Sequence, residues 1–179
     1  MQHLNVEFKA RCADPSPGSG QALDRARAVL AEQHATGPDV DRQIDTYFRV
    51  PHGRLKLREG TVERALIHYD RPDAAGPKRS DVTLYPTGPD ASALKAALTA
   101  ALGVLVVVDK TREIYFVGNV KVHLDRVEGL GSFVEVEAIA DDTHRTEGVL
   151  RAQCERMLAA LGVRERDLVA VSYSDLLRE

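Results

Sequence analysis

The spacing of apolar and polar residues changes period several times along the chain. Residues 3–11, HLNVEFKAR, alternate: Leu4, Val6, Phe8 and Ala10 fall on one parity, and Asn5, Glu7, Lys9 and Arg11 on the other. Successive side chains of a strand point to opposite faces, so this segment predicts one apolar and one ionic face. Residues 12–20, CADPSPGSG, break the pattern with turn formers. Helical spacing follows over 21–34, with Leu23, Ala26, Val29 and Leu30 on one stripe. Strand-like runs come next at 43–50, 54–59 and 63–71, then a flexible loop over 71–80 and a strand at 81–86. A second helix is predicted over 91–103, with Asp90 or Ser92 as its cap and Gly103 as its end. Three more strands fit 104–117, 119–128 and 132–140, with Gly129-Leu130-Gly131 as a hairpin turn. An amphipathic helix over 145–161, starting near Thr143 and stopping at Gly162, closes the series.

About eight strands against three main helices predict an α+β chain. An eight-stranded antiparallel sheet closed into a barrel, with helices packed outside, fits the count, and a split sheet with helices on one face is the alternative. Nothing marks an internal boundary, so residues 1–179 are expected to form one domain.

The alternation of the first strand recurs. Lys56 and Arg58 alternate with Leu55 and Leu57; Lys110 and Arg112 share a parity; Lys121, His123 and Asp125 alternate with Val120, Val122 and Leu124; Glu135 and Glu137 alternate with Val134 and Val136. Each row alone reads as the solvent face of a half-buried strand. Together they are unusual in being mainly ionic and in segregating by sign, with carboxylates on the first and last strands and cations between. Charges turned inward must be paired or bound to ions, so an ionic interior implies a highly charged ligand.

Composition narrows the field without naming that ligand. The chain is 179 residues long, 44% hydrophobic and 28% charged, with a formal net charge of −3. That describes a globular chain with a core of its own and no basic surface for nucleic acid. No apolar run is long enough to span a bilayer, and Cys12 and Cys154 are too few for a disulfide scaffold, so a cytoplasmic protein with no membrane partner is expected. There is no P-loop and no HExxH pattern. His123 is expected to be a hydrogen-bonded structural histidine, and Tyr47, Tyr69 and Tyr115 to pack in strands. The chemistry that suits an ionic interior is a triphosphate with a divalent cation. Carboxylates are hard ligands for Mg²⁺ or Mn²⁺, and lysine and arginine take up the phosphate charge.

In these residues the chain resembles the CYTH superfamily of triphosphate tunnel metalloenzymes, and most closely its class IV adenylate cyclase-like branch. The resemblance is carried by LKLRE at 55–59, HYDRPD at 68–73, DKTREIYF at 109–116, HLDRVEGLGSFVEVE at 123–137 and SYSDLL at 172–177. The family's opening ExExK motif stands here as Asn5-Val6-Glu7-Phe8-Lys9, with asparagine in place of the first glutamate. The resemblance implies a tunnel open at its ends that binds a triphosphate along its axis. It implies Glu7, Glu135 and Glu137 as metal ligands, with Asp125 as a further ligand or proton acceptor and Lys9 beside it in catalysis. Lys9, Lys56, Arg58, Lys110 and Arg112 would hold phosphates, joined by Arg71 in place of a family lysine and, on parity, by Lys121; Lys78 and Arg79 are weaker candidates. The implied reaction is conversion of ATP to cyclic AMP and pyrophosphate. Hydrolysis of tripolyphosphate, thiamine triphosphate or a nucleoside triphosphate is the alternative, and a non-catalytic nucleotide- or polyphosphate-binding module the third reading. Exposed apolar surface would support a homodimer.

Overall fold

The computed structural model describes residues 2–12, 20–141 and 146–178, with side chains from Leu4 onward. Most of the predicted break at 12–20, and the predicted helix start at 143–145, lie outside the described residues. The strands are β1 (Gln2–Arg11), β2 (Thr36–Phe48), β3 (Arg54–Gly60), β4 (Arg64–Asp70), β5 (Lys78–Pro86), β6 (Val104–Val117), β7 (Val120–Val127) and β8 (Gly131–Ile139). They close into an antiparallel barrel in the order β1-β5-β4-β3-β2-β6-β7-β8, which settles the choice between barrel and split sheet. The helices are α1 (Gln21–Glu32), α2 (Ser92–Leu102), α3 (Glu147–Ala160) and α4 (Tyr173–Leu176). Among the described residues no helix is long and apolar enough to cross a membrane.

The apolar parity of the strands points outward, and the main hydrophobic core lies between barrel and helices. Val6, Phe8 and Ala10 of β1, Val122 and Leu124 of β7, and Val134, Val136 and Ala138 of β8 pack under Leu23, Ala26 and Leu30 of α1 and Leu150, Cys154 and Met157 of α3. Burial of each large side chain here is worth roughly 2 kcal/mol. Tyr115 belongs to this outer layer, with its hydroxyl on Glu113. α2 lies near β2 with no fully buried side chain.

A second apolar cluster joins the barrel to the C-terminal segment through Phe133, Val169 and Tyr173. Leu168 bridges Ala10, and the Val169 N–H bonds the Lys9 carbonyl. Arg71 and Lys78 both donate to the Ala170 carbonyl, Arg54 pairs with Asp175, and Tyr173 packs edge-on to Phe133 with ring centroids 4.9 Å apart. These contacts tie the C-terminal segment to β1, β3 and β5.

Two strands depart from the spacing-based reading. β2 begins at Thr36 rather than 43, because Thr36 and residues 39–42 pair with β6, with a bulge at Gly37-Pro38. β5 begins at Lys78, since Lys78, Arg79 and Ser80 pair with Glu7, Val6 and Asn5 of β1; the predicted loop is shorter by those residues. In both places long-range pairing outweighs local composition. The turn at Gly129–Gly131 and the end of α2 at Gly103 are as expected, both at positive φ.

Candidate active site

Most of the ionic parity of the strands faces an interior cavity of about 460 Å³. Register accounts for its wiring. Glu7 is opposite Glu137 and Lys9 opposite Glu135 across β1–β8, while Lys121 and His123 face Glu137 and Glu135 across β7–β8. Lys9, Lys56, Arg58, Arg64, Arg71, Lys110, Arg112 and Lys121 all line the cavity, against four lining carboxylates, Glu7, Glu63, Glu135 and Glu137. That excess of positive charge suits a polyanion. Of the residues singled out in the sequence, Asp125 and Lys78 are buried but do not line the cavity, and Arg79 faces out to pair with Asp81.

The cations are held by a carboxylate whose importance the sequence did not reveal. Asp45 of β2, 1% exposed, accepts from Arg58 Nε (2.9 Å) and Nη2 (3.0 Å), Lys56 Nζ (3.0 Å) and Lys110 Nζ (2.6 Å). Burial alone would raise its pKa, but the charges of Arg58, Lys110 and Lys56 outweigh burial and hold it well below the usual carboxylate range. Burial pushes the Lys110 ammonium down to about 7 despite Asp45, with Arg58 and Arg112 adding to the fall. Arg112 is fixed from behind by a two-point pair to Asp125 (2.7 and 2.6 Å), and Tyr173 Oη donates to the same carboxylate at 2.7 Å. Both Asp125 oxygens are thereby engaged, an arrangement suited to orienting Arg112.

A second missed carboxylate, Glu63, enters from the β3–β4 turn. It accepts from Arg58 Nη1 at 2.8 Å and pairs with Lys121. The turn is shaped by buried Asp41, which accepts the backbone N–H groups of Thr61 (2.6 Å), Val62 (2.9 Å) and Glu63 (2.9 Å). Gly60 makes room for this: a Cβ there would lie 2.8 Å from both Asp41 carboxylate oxygens and 2.4 Å from the Glu63 carbonyl.

At the other wall, Glu135, Glu137 and His123 place three potential ligand atoms within 4.8 Å of one another. Burial, reinforced by the charges of Glu135 and Glu7, pushes the Glu137 carboxyl up to about 7. Glu135 is buried too, but Lys9 and Arg112 hold it well below the ordinary range. Burial drives the His123 imidazole down to about 3, aided by Arg112. Among the described residues neither His123 ring nitrogen has a partner within 3.5 Å; Nδ1 faces Glu135 and Glu137 at 3.8 Å each. Two carboxylates and a neutral imidazole with unused nitrogens make a donor set that fits a divalent cation. Glu7 stands at the edge of this cluster, 3.0 Å from Arg71 Nε, and Lys9 Nζ sits 3.6 Å over the Tyr173 ring and 3.7 Å from Glu135. Asn5 and Ser80, paired in register beside Glu7, each have a buried side-chain oxygen without a partner.

The remaining wall is apolar. Ala65 and Ile67 of β4, Val82 and Leu84 of β5 and Ile139 of β8 line it, with Tyr47 and Tyr69 at its inner edge and their hydroxyls 3.4 Å apart. The tyrosines do pack, as expected, but they also border the site.

The closed barrel, with helices outside, thus carries cations on one interior wall and a carboxylate–histidine cluster on another. The CYTH domain family model matches residues 3–173, and the chain belongs to that family. It is 27% identical to adenylate cyclase CyaB of Aeromonas hydrophila, over 98% of this chain and 90% of that protein. Its fold is shared with the PH1012 protein of Pyrococcus horikoshii OT3, at a TM-score of 0.78 and 21% identity over 96% of this chain and 98% of that one. A conserved hypothetical protein from Pyrococcus furiosus matches at a TM-score of 0.72 and 20% identity, over 96% and 99% of the two chains.

Proposed function

We propose that the chain is a divalent-metal-dependent enzyme that binds ATP in the barrel and converts it to cyclic AMP and pyrophosphate. The observation that carries this reading is the division of one cavity into three walls: a cationic wall for a chain of phosphates, a carboxylate–histidine cluster for a cation, and an apolar wall that an inorganic anion would leave unused. The name of the Aeromonas hydrophila relative points the same way.

In this reading Lys56, Arg58 and Lys110, fixed by Asp45, take the charge of the leaving pyrophosphate, and Arg112, fixed by Asp125 and Tyr173, holds the phosphate that is attacked. Arg71 and Lys121 are assigned to the ends of the phosphate chain. Glu135 and Glu137, with Glu7 beside them, would hold Mg²⁺ or Mn²⁺, which when bound supplies charge neutralisation and acidifies a coordinated hydroxyl. The ribose 3′-oxygen forms a bond to the α-phosphorus as the bond from that phosphorus to the bridging α–β oxygen breaks. Burial depresses the Lys9 ammonium below its ordinary value, and we assign its Nζ to receive the 3′-hydroxyl proton.

The test is product-resolved turnover of ATP with Mg²⁺ and Mn²⁺. Cyclic AMP and pyrophosphate in equal amounts are expected; orthophosphate alone overturns the cyclase assignment. Hydrolysis of the terminal phosphate is the second reading, favoured by the extent of the ionic lining, and tripolyphosphate and thiamine triphosphate test it in parallel. Tight binding of every triphosphate with no turnover would leave a binding module. The apolar wall gives a separate prediction: Ile67→Ala raises KM for ATP about tenfold and leaves tripolyphosphate binding unchanged. An equal effect on both ligands would show that Ile67 serves the fold instead.

A further inference from the structure

Every histidine nitrogen buried in a protein is expected to have a hydrogen-bond partner, and His123 breaks this rule twice. Its side chain is 1% exposed, on β7 between Lys121 and Asp125, with its ring turned toward Glu135 and Glu137 of β8. The 3.8 Å separations from Nδ1 to one oxygen of each carboxylate are too long for hydrogen bonds. Two ligands held by one ion at about 2.1 Å stand roughly 3.0–3.4 Å apart, so a shift of less than about 1 Å converts the cluster into a coordination triad. The surroundings supply no other use for the ring. Arg112 is committed to Asp125 and Glu135, and Lys121 to Glu63, so neither neighbour donates to a ring nitrogen. Among the described residues no polar atom lies within hydrogen-bond distance of either ring nitrogen, whereas a cation between the carboxylates would engage the imidazole.

We propose that His123 is itself a ligand of the divalent cation, completing a mixed nitrogen–oxygen set with Glu135 and Glu137, and that the site therefore prefers Mn²⁺ or Co²⁺ to Mg²⁺. This deepens the reading above and rests on its carboxylate metal site. Imidazole is a better donor to transition ions than to Mg²⁺, which favours an all-oxygen shell with several retained waters. Glutamate pairs on neighbouring positions suit either ion; the histidine tips the choice.

The experiment uses the full chain loaded with Mn²⁺ alone, without nucleotide, and reads ¹⁴N couplings by electron spin-echo envelope modulation. The wild type is expected to show imidazole nitrogen coupling, and His123→Gln to lose it together with about 10–100-fold in Mn²⁺ affinity, while Mg²⁺ affinity falls much less. Bound Mn²⁺ without nitrogen coupling, or coupling that survives in His123→Gln, overturns the histidine ligand and leaves the carboxylate site standing. Mn²⁺ that binds the wild type no better than it binds Glu135→Gln overturns the carboxylate site and the histidine with it.

Discussion

Glu137→Gln makes the metal-free protein more stable at pH 8, and at the same time removes its dependence on a divalent cation by abolishing turnover. The stability effect follows from the sign of the shift. In the fold, burial and the charges of Glu135 and Glu7 raise the Glu137 carboxyl to about 7, above its ordinary 4.5. The native state thus retains a proton that the unfolded chain releases between those two values. Stability falls as pH rises through that window, and above pH 7 the full penalty applies, about 3 kcal/mol for a shift of this size. Glutamine carries no such penalty, so the variant gains on the wild type at pH 8 and loses the advantage at pH 4. Denaturant melts at the two pH values measure it; an advantage that is the same at both would refute the assignment of strain to Glu137. Mn²⁺ should stabilise the wild type at pH 8 and not the variant, because a neutral amide is a poor ligand for a hard dication. Activity in the variant should fall by about 100-fold or more, beyond what loss of a mere supporting contact produces.

Asp45→Asn has the opposite effect on the fold. Three cations meet on this carboxylate, and Lys110 is almost wholly enclosed with it. Removing the anion of a buried pair leaves its partners uncompensated, a loss of about 3–5 kcal/mol, or on the order of 10 °C in Tm for a chain of this size. A polyanion should substitute for the missing charge. Tripolyphosphate is therefore expected to raise the Tm of Asp45→Asn by more than it raises that of the wild type at equal occupancy. Equal increments would mean that the cations reach the ligand independently of Asp45. The same variant should show a higher KM for a triphosphate, since Lys56, Arg58 and Lys110 are no longer gathered in one place before binding.

The barrel and most of its lining were legible in the sequence because both are written in a period of two. Glu7, Lys9, Lys56, Arg58, Lys110, Arg112, Lys121, Glu135 and Glu137 each sit on the polar parity of a strand, and all line the cavity. What escaped is what parity does not encode. Asp45 shares a row with Gln43 and Tyr47, but its partners come from β3 and β6, brought to it by register. Glu63 lies in a turn, where alternation says nothing, and is aimed by backbone bonds to Asp41. Tyr173 reaches Asp125 from a segment 48 residues away. Lys78 follows Gly76-Pro77, a pair that reads as loop, yet begins a strand. Asp125 was legible as an inward residue, but its position behind Arg112 depends on the cross-strand register of the β6–β7 hairpin.

The outward placement of the hydrophobic core has a consequence for how such a protein can change over time. In most enzymes the residues that do chemistry and those that hold the fold compete for the same interior. Here they occupy alternate positions of the same strands, with the apolar set beneath α1 and α3 and the ionic set around the cavity. Substitutions that retune the ligand therefore fall on one parity and leave the scaffold's packing intact. A chain built this way can stand at 21% identity to a structural counterpart and keep the same barrel.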